Sequence, residues 1–149
     1  MNTHKEFLEF LKLLNKNDVE FVIVGGYAVA FYGYVRVTKD LDILFHNKPD
    51  TIEKLKKALK EFGFPAKSLE GVAFSEQGKI IRIGVAPVMI ELINAISGLT
   101  FEQLWKNRVS GLYGTVKVYY ISKTDLLKNK TVSGRPQDLA DIEELKSID

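Results

Sequence analysis

A short β-branched run that closes on two glycines, followed at a set distance by alternating aspartates, narrows the folds open to this chain more than any other feature. Phe21-Val-Ile-Val24 has the make-up of a buried strand, and Gly25-Gly26 ends it. Tyr27 to Tyr32 then reads as a short helix stopped at Gly33, and Asp40-Leu-Asp-Ile-Leu-Phe45 as a second strand. Side chains alternate along a strand, so Asp40 and Asp42 share one face while Leu41 and Ile43 point to the core. Strand rise puts the two aspartate Cα atoms about 6.6–6.8 Å apart, which lets both carboxylates converge on one cation. Without a cation they repel, and at least one pKa rises.

A third carboxylate, Glu91, stands in the apolar run Val88-Met-Ile-Glu-Leu-Ile93. A lone acid there is costly to bury unless something pairs with it. If this strand lies beside the Asp40–Asp42 strand, three carboxylates meet at one point. Oxygen-only ligation without His or Cys favours Mg2+ (or Mn2+) over zinc. Such a cluster can hold two ions about 3.5–4 Å apart, flanking an in-line phosphoryl or nucleotidyl transfer, with Glu91 helping to take the nucleophile's proton. Gly25-Gly26 lets backbone N–H groups at a helix start approach a phosphate closely. Arg36, Thr38 and Lys39, just before Asp40, are candidates to complete a triphosphate cradle, as are Lys130 and Arg135.

The remainder predicts one α+β domain spanning residues 1–149, a mixed β-sheet flanked by five or six helices. Thr3-His-Lys-Glu6 reads as a capping box ahead of an apolar stripe at Phe7, Phe10, Leu11 and Leu14. Thr51 to Phe62 is a lysine-rich amphipathic helix ending at Gly63. Val72–Ser75 and Lys79–Val85, around Glu76-Gln-Gly78, read as a hairpin. Thr100 caps a helix to about Asn107, and Leu112–Thr115 turns into a strand over Val116–Ile121. Ser122 caps a helix from Lys123, and Gly134-Arg-Pro136 breaks it and starts the last one. Phe62, Phe64, Trp105, Tyr119 and Tyr120 read as core, and His4 and His46 as surface.

Composition removes several classes. A chain 46% hydrophobic and 27% charged is globular rather than disordered. The absence of cysteine excludes a disulfide framework, a thiolate zinc site and a cysteine nucleophile. The most apolar stretch, Phe21–Phe31, falls far short of the ~20 residues a membrane span needs, so a soluble, cytoplasmic protein is expected. A net charge of +2 does not suggest a dedicated nucleic-acid binder. Its distribution is uneven. Residues 117–135 hold Lys117, Lys123, Lys128, Lys130 and Arg135 against Asp125, whereas residues 138–149 hold Asp138, Asp141, Glu143, Glu144 and Asp149 against Lys146. Two solvated helix faces, or cations gathered at the mouth of a site, both fit that switch.

Gly25-Gly26, thirteen intervening residues, Asp40-Leu-Asp42 and a later carboxylate in an apolar strand resemble the nucleotidyltransferase superfamily, the fold group of DNA polymerase β. Ile93-Asn-Ala-Ile-Ser-Gly98, Phe101-Glu102, Trp105, Asn107-Arg108 and Lys128-Asn-Lys130 through Gly134-Arg-Pro-Gln-Asp-Leu-Ala-Asp141 resemble small bacterial nucleotidyltransferase-like proteins. These are relatives of the abortive-infection and toxin–antitoxin transferases. The resemblance implies nucleotide phosphate at Gly25 and Gly26, metal at Asp40 and Asp42, and Glu91 as the third carboxylate, where members often carry Asp. It implies transfer of a nucleoside monophosphate from an NTP to an acceptor hydroxyl on RNA, protein or a small molecule. A cognate toxin or antitoxin is the candidate partner. Lys130, Arg135 and Asp138 match the tail motif, with the role of Asp138 open. The alternative is a catalytically silent nucleotide- or partner-binding module of the same fold. A glycosyltransferase, which also uses Asp-x-Asp, fits less well with the upstream glycine pair.

Overall fold

A computed structural model describes residues 3–148. Its elements are α1 (Lys5–Lys16), β1 (Phe21–Val24), α2 (Gly25–Phe31), β2 (Asp40–Phe45), α3 (Pro49–Phe62), α4 (Ala66–Leu69), β3 (Ile81–Val85), β4 (Val88–Ile93), α5 (Phe101–Asn107), β5 (Val109–Tyr113), β6 (Val116–Tyr120), α6 (Lys123–Ser133) and α7 (Pro136–Lys146). The strands form one mixed sheet in the order β3-β4-β2-β1-β6-β5. β1 pairs antiparallel with β2, as β3 does with β4 and β5 with β6, while β2–β4 and β1–β6 are parallel. The expected α+β mixed sheet flanked by helices is therefore the observed fold.

Hydrophobic pattern explains the layering. β1 is buried at all four positions and sits near the middle of the sheet. The predicted stripe of α1, Phe7, Phe10, Leu11 and Leu14, is buried completely. Phe7, Tyr27 and Tyr113 meet edge-on or tilted at 5.7–6.3 Å, joining α1, α2 and β5 into the wall behind the β1–α2 corner. That corner has no loop: α2 starts on Gly25 itself, two residues before the predicted start.

Several expectations change. Thr3 does not cap α1. The helix begins at Lys5 with His4 before it, and the His4 N–H donates to the Tyr113 hydroxyl at 3.0 Å. The 72–85 hairpin does not form. Instead the Asn94 side chain takes over the backbone of that segment, donating to Phe74 O and Glu76 O at 2.9 Å and accepting from Gly78 N–H at 2.9 Å. Residues 81–85 then pair with β4. Val109–Tyr113 is a strand although Gly111 interrupts it, because the Phe31 ring occupies the place of a side chain there: a Cβ on Gly111 would lie 2.7 Å from it. Phe31 stacks on Tyr120 at 4.0 Å. Seven helices stand among the described residues, the extra one being α4.

Tyr120 is core as expected, but strand alternation turns Tyr119 outward, against Trp105. His46 is only half-exposed, stacked on Phe101 with Nδ1 2.8 Å from Glu20 Oε1. Among the described residues no helix is long and apolar enough to cross a membrane.

Replacing Asn94 by Ala removes three hydrogen bonds to backbone groups in a largely buried setting. Urea unfolding is expected to show a loss of about 3 kcal/mol, near 1 kcal/mol per bond.

Candidate active site

β2 begins with the two aspartates, and its parallel partner β4 carries Glu91 directly beside Asp42. One oxygen from each of Asp40, Asp42 and Glu91 lies within 4.8 Å of the others. Three acids this close repel, and the titration reflects it. Burial, then the hydrogen bond and charge of Asp40, then the charge of Glu91 push the Asp42 carboxyl up to about 8, with Arg135 pulling the other way. Burial and Asp40 raise Glu91 as well, partly offset by Arg82, whose Nε donates to Glu91 Oε1 at 3.1 Å. Asp42 Oδ1 is buried and has no hydrogen-bond partner. An orphaned carboxylate oxygen beside two further carboxylates is a donor set suited to a hard divalent cation. Asp40, Asp42 and Glu91 are the residues that could hold it.

The glycine pair is required by its neighbours. Gly25 has φ +70°, and a Cβ on it would sit 2.1 Å from Asp42 Oδ2. A Cβ on Gly26 would sit 2.7 Å from Thr38 Cγ2 and 2.8 Å from Thr38 Oγ1. Gly25 thus seats the carboxylate, and Gly26 seats the strap of residues 33–39 that leads into β2.

Every residue singled out from the sequence faces one cleft of about 590 Å3: Gly25, Gly26, Arg36, Thr38, Asp40, Asp42, Glu91, Lys130 and Arg135, with Asp138 beside them. The cations differ in what they are free to do. Lys130 is buried, with Nζ 2.9 Å from Asp141 Oδ2 and 3.3 Å from Asp138 Oδ1. Arg36 donates to both Asp141 oxygens, at 2.8 and 2.9 Å, and its Nη1 donates to Val37 O. Arg135 holds Asp138 through Nε at 2.8 Å, yet its side chain is 75% exposed and stays open to the cleft. Burial alone would raise Asp138 and Asp141. Their cationic and hydrogen-bonding partners win, holding both below the usual carboxylate range.

Sequence reasoning missed two members of this set. Arg82 pairs with Glu91 only through the β3–β4 register, which no local pattern reveals. Asp141 was visible as the end of a motif and as one of an acidic run, without a role in the site. Its spacing of three from Asp138 on a helix was the available signal, since such residues share a face.

A family model described as nucleotidyltransferase of unknown function (DUF6036) matches residues 4–149. No curated protein matches the sequence. Among solved structures, the lincomycin-bound lincosamide antibiotic adenylyltransferase LnuA superposes with a TM-score of 0.60 at 22% identity, covering 99% of this chain and 98% of LnuA. An antigenic nucleotidyltransferase-like protein from Paracoccidioides brasiliensis gives 0.54 at 15% identity, covering 94% of this chain and 74% of that one. Both are likenesses of fold.

The raised Asp42 pKa fixes a pH dependence. A carboxyl protonated more readily in the folded than in the unfolded chain contributes fully below its unfolded pKa, near 4, and loses that contribution as pH rises to about 8. Metal-free protein is therefore expected to melt lower at pH 8 than at pH 5.5. Asp42→Asn should raise the pH 8 melting temperature by about 2–4 °C for each kcal/mol recovered, and flatten the profile, as followed by circular dichroism.

Proposed function

Because the chain belongs to the DUF6036 family of nucleotidyltransferases, we propose that it transfers a nucleoside monophosphate from an NTP to an acceptor hydroxyl in a divalent-metal-dependent reaction. The observation that carries this reading is the orphaned Asp42 oxygen within a three-carboxylate cluster that shares a cleft with Gly25-Gly26. A Mg2+ or Mn2+ ion held by Asp40, Asp42 and Glu91 would supply charge neutralisation for the donor phosphates and acidify the acceptor hydroxyl.

The chain's own groups account for the rest. Gly25 and Gly26 leave room for Asp42 and Thr38 to close on the start of α2, where both line the cleft and the donor's phosphates meet backbone N–H groups. Arg135, exposed at the cleft and oriented through Asp138, meets the charge of the departing pyrophosphate. The acceptor oxygen bonds to the α-phosphorus as the bond from that phosphorus to the pyrophosphate oxygen breaks. The acceptor proton passes to Glu91, whose raised basicity supports that role, and from there to water. Lys130, Arg36 and Thr38 hold the walls of the cradle. The acceptor is a hydroxyl on RNA, protein or a small molecule. The fold likeness to a lincosamide adenylyltransferase makes ATP with small hydroxyl compounds the first pair to test.

Incubation with Mg2+ and each labelled NTP, followed by assays for pyrophosphate and labelled product, tests the reading. Asp42→Asn is expected to lower turnover by about 10²–10³-fold or more while melting no lower than wild type. Gly25→Ala is expected to abolish it, since the added methyl collides with Asp42 Oδ2. Unimpaired transfer by Asp42→Asn overturns the mechanism. Stabilisation by Mg2+–NTP without pyrophosphate release assigns the chain to the silent binding class.

A further inference from the structure

Asp141 is completely buried and does not line the carboxylate cleft, yet it holds two of the cations on that cleft's wall. A third contact, from Gln137 Nε2 at 2.9 Å, saturates it further. Residues 35–39 of the strap have little else to fix them. Among the described residues, no backbone group accepts a hydrogen bond from the N–H of Val35 through Lys39. Val35 and Val37 are 67% and 86% exposed, so their apolar side chains do not anchor it. Its start is tied, with Gly33 and Tyr34 N–H donating to Ala30 O and Val29 O and Tyr34 packed against the core; beyond Tyr34 what remains is the two-pronged bond of Arg36 to Asp141 and the seat of Thr38 on Gly26.

We propose that Asp141 is a positioning residue: by clamping Arg36 it pins the 33–39 strap, and with it Thr38, against the glycine corner that takes the donor phosphates. The donor half of this statement rests on the function proposed above. A guanidinium matched to a carboxylate by two parallel bonds fixes direction as well as distance, which a lysine at position 36 cannot do. The same carboxylate holds Lys130 of α6, so one buried oxygen pair on α7 ties together strap, α6 and α7. Arg36 therefore acts as a strut, with all three guanidinium nitrogens engaged by the protein.

Limited trypsin digestion reads the clamp directly, because cleavage after Arg36 requires its guanidinium to leave Asp141 for the protease pocket. Cleavage at the Arg36–Val37 bond, identified by mass spectrometry, is expected to run at least about tenfold faster in Asp141→Asn than in wild type, with other sites unchanged. Asp141→Asn removes a buried charge and can impair folding, so Arg36→Lys provides a second variant. It keeps the cleavage specificity and the charge, lies on the exposed strap, and is expected to cut faster at position 36 as well.

Affinity for the tightest of the four Mg2+–NTPs should fall about tenfold in both variants, while Mn2+ alone binds the carboxylates as in wild type. A merely structural role would not separate those two affinities. Unchanged cleavage in both variants overturns the clamp. Faster cleavage with unchanged nucleotide affinity reduces Asp141 to a brace and overturns its positioning role. A wild-type protein that binds no Mg2+–NTP overturns the donor reading, and the cleavage result still decides the clamp.

Discussion

Mutual repulsion among Asp40, Asp42 and Glu91 is the constraint around which the rest of the molecule is arranged. Parallel pairing of β2 with β4 forces Asp42 and Glu91 side by side, and strand alternation brings Asp40 to the same face. Within the chain, relief comes from protonation of Asp42, from Arg82 at the sheet edge and from the more distant charge of Arg135. None of these satisfies Asp42 Oδ1. The fold thus keeps a deficit of positive charge at one place, and the buried aromatic wall around Phe7, Tyr27 and Tyr113 keeps that place rigid.

The opposite wall of the cleft shows the same residue types resolved the other way. Asp138 and Asp141 are less exposed to solvent than the triad, and burial alone would raise them too. Three cations reverse the outcome. Two sets of carboxylates in one cleft are therefore pushed in opposite directions by their partners, one short of cations and the other saturated. Only the first is chemically receptive, a division of roles familiar from sites that tune like groups by environment. Saturation also explains why Lys130 and Arg36 serve as walls, leaving Arg135 as the exposed cation of the three.

What was legible in the sequence was what local periodicity controls. The Phe21–Val24 strand, the Asp40–Asp42 face and the α1 stripe follow from alternation or helical spacing within a few residues. Convergence of Glu91 on the aspartates was stated as a condition, because it depends on which strands become neighbours. Its fulfilment needed the β2–β4 crossover. The 72–85 segment was misread because its turn residues suit a hairpin, whereas one distant amide, Asn94, supplies the competing hydrogen bonds. The basic and acidic runs of the last third offered two readings. Part of each proved to pair between α6 and α7, with Lys130 buried between Asp138 and Asp141 and Arg135 on Asp138. Charge counts along a chain carry no information about such pairing.

Glu91 shows how one residue reconciles demands that local pattern leaves apart. Its carboxylate has to join the triad over β2 and also meet the partner offered from the sheet edge, Arg82 on β3. The strands are about 4.8 Å apart, so the reach must extend to both sides. The methylene that distinguishes Glu from Asp supplies it, letting Oε1 take the Arg82 guanidinium while the carboxylate stays with Asp40 and Asp42. An aspartate would draw the group back by roughly one C–C bond and weaken the contact with Arg82, leaving more repulsion uncompensated on the β4 side. The glutamate at position 91 is thus matched by an arginine directly across the strand pair, and the two are best understood as one device.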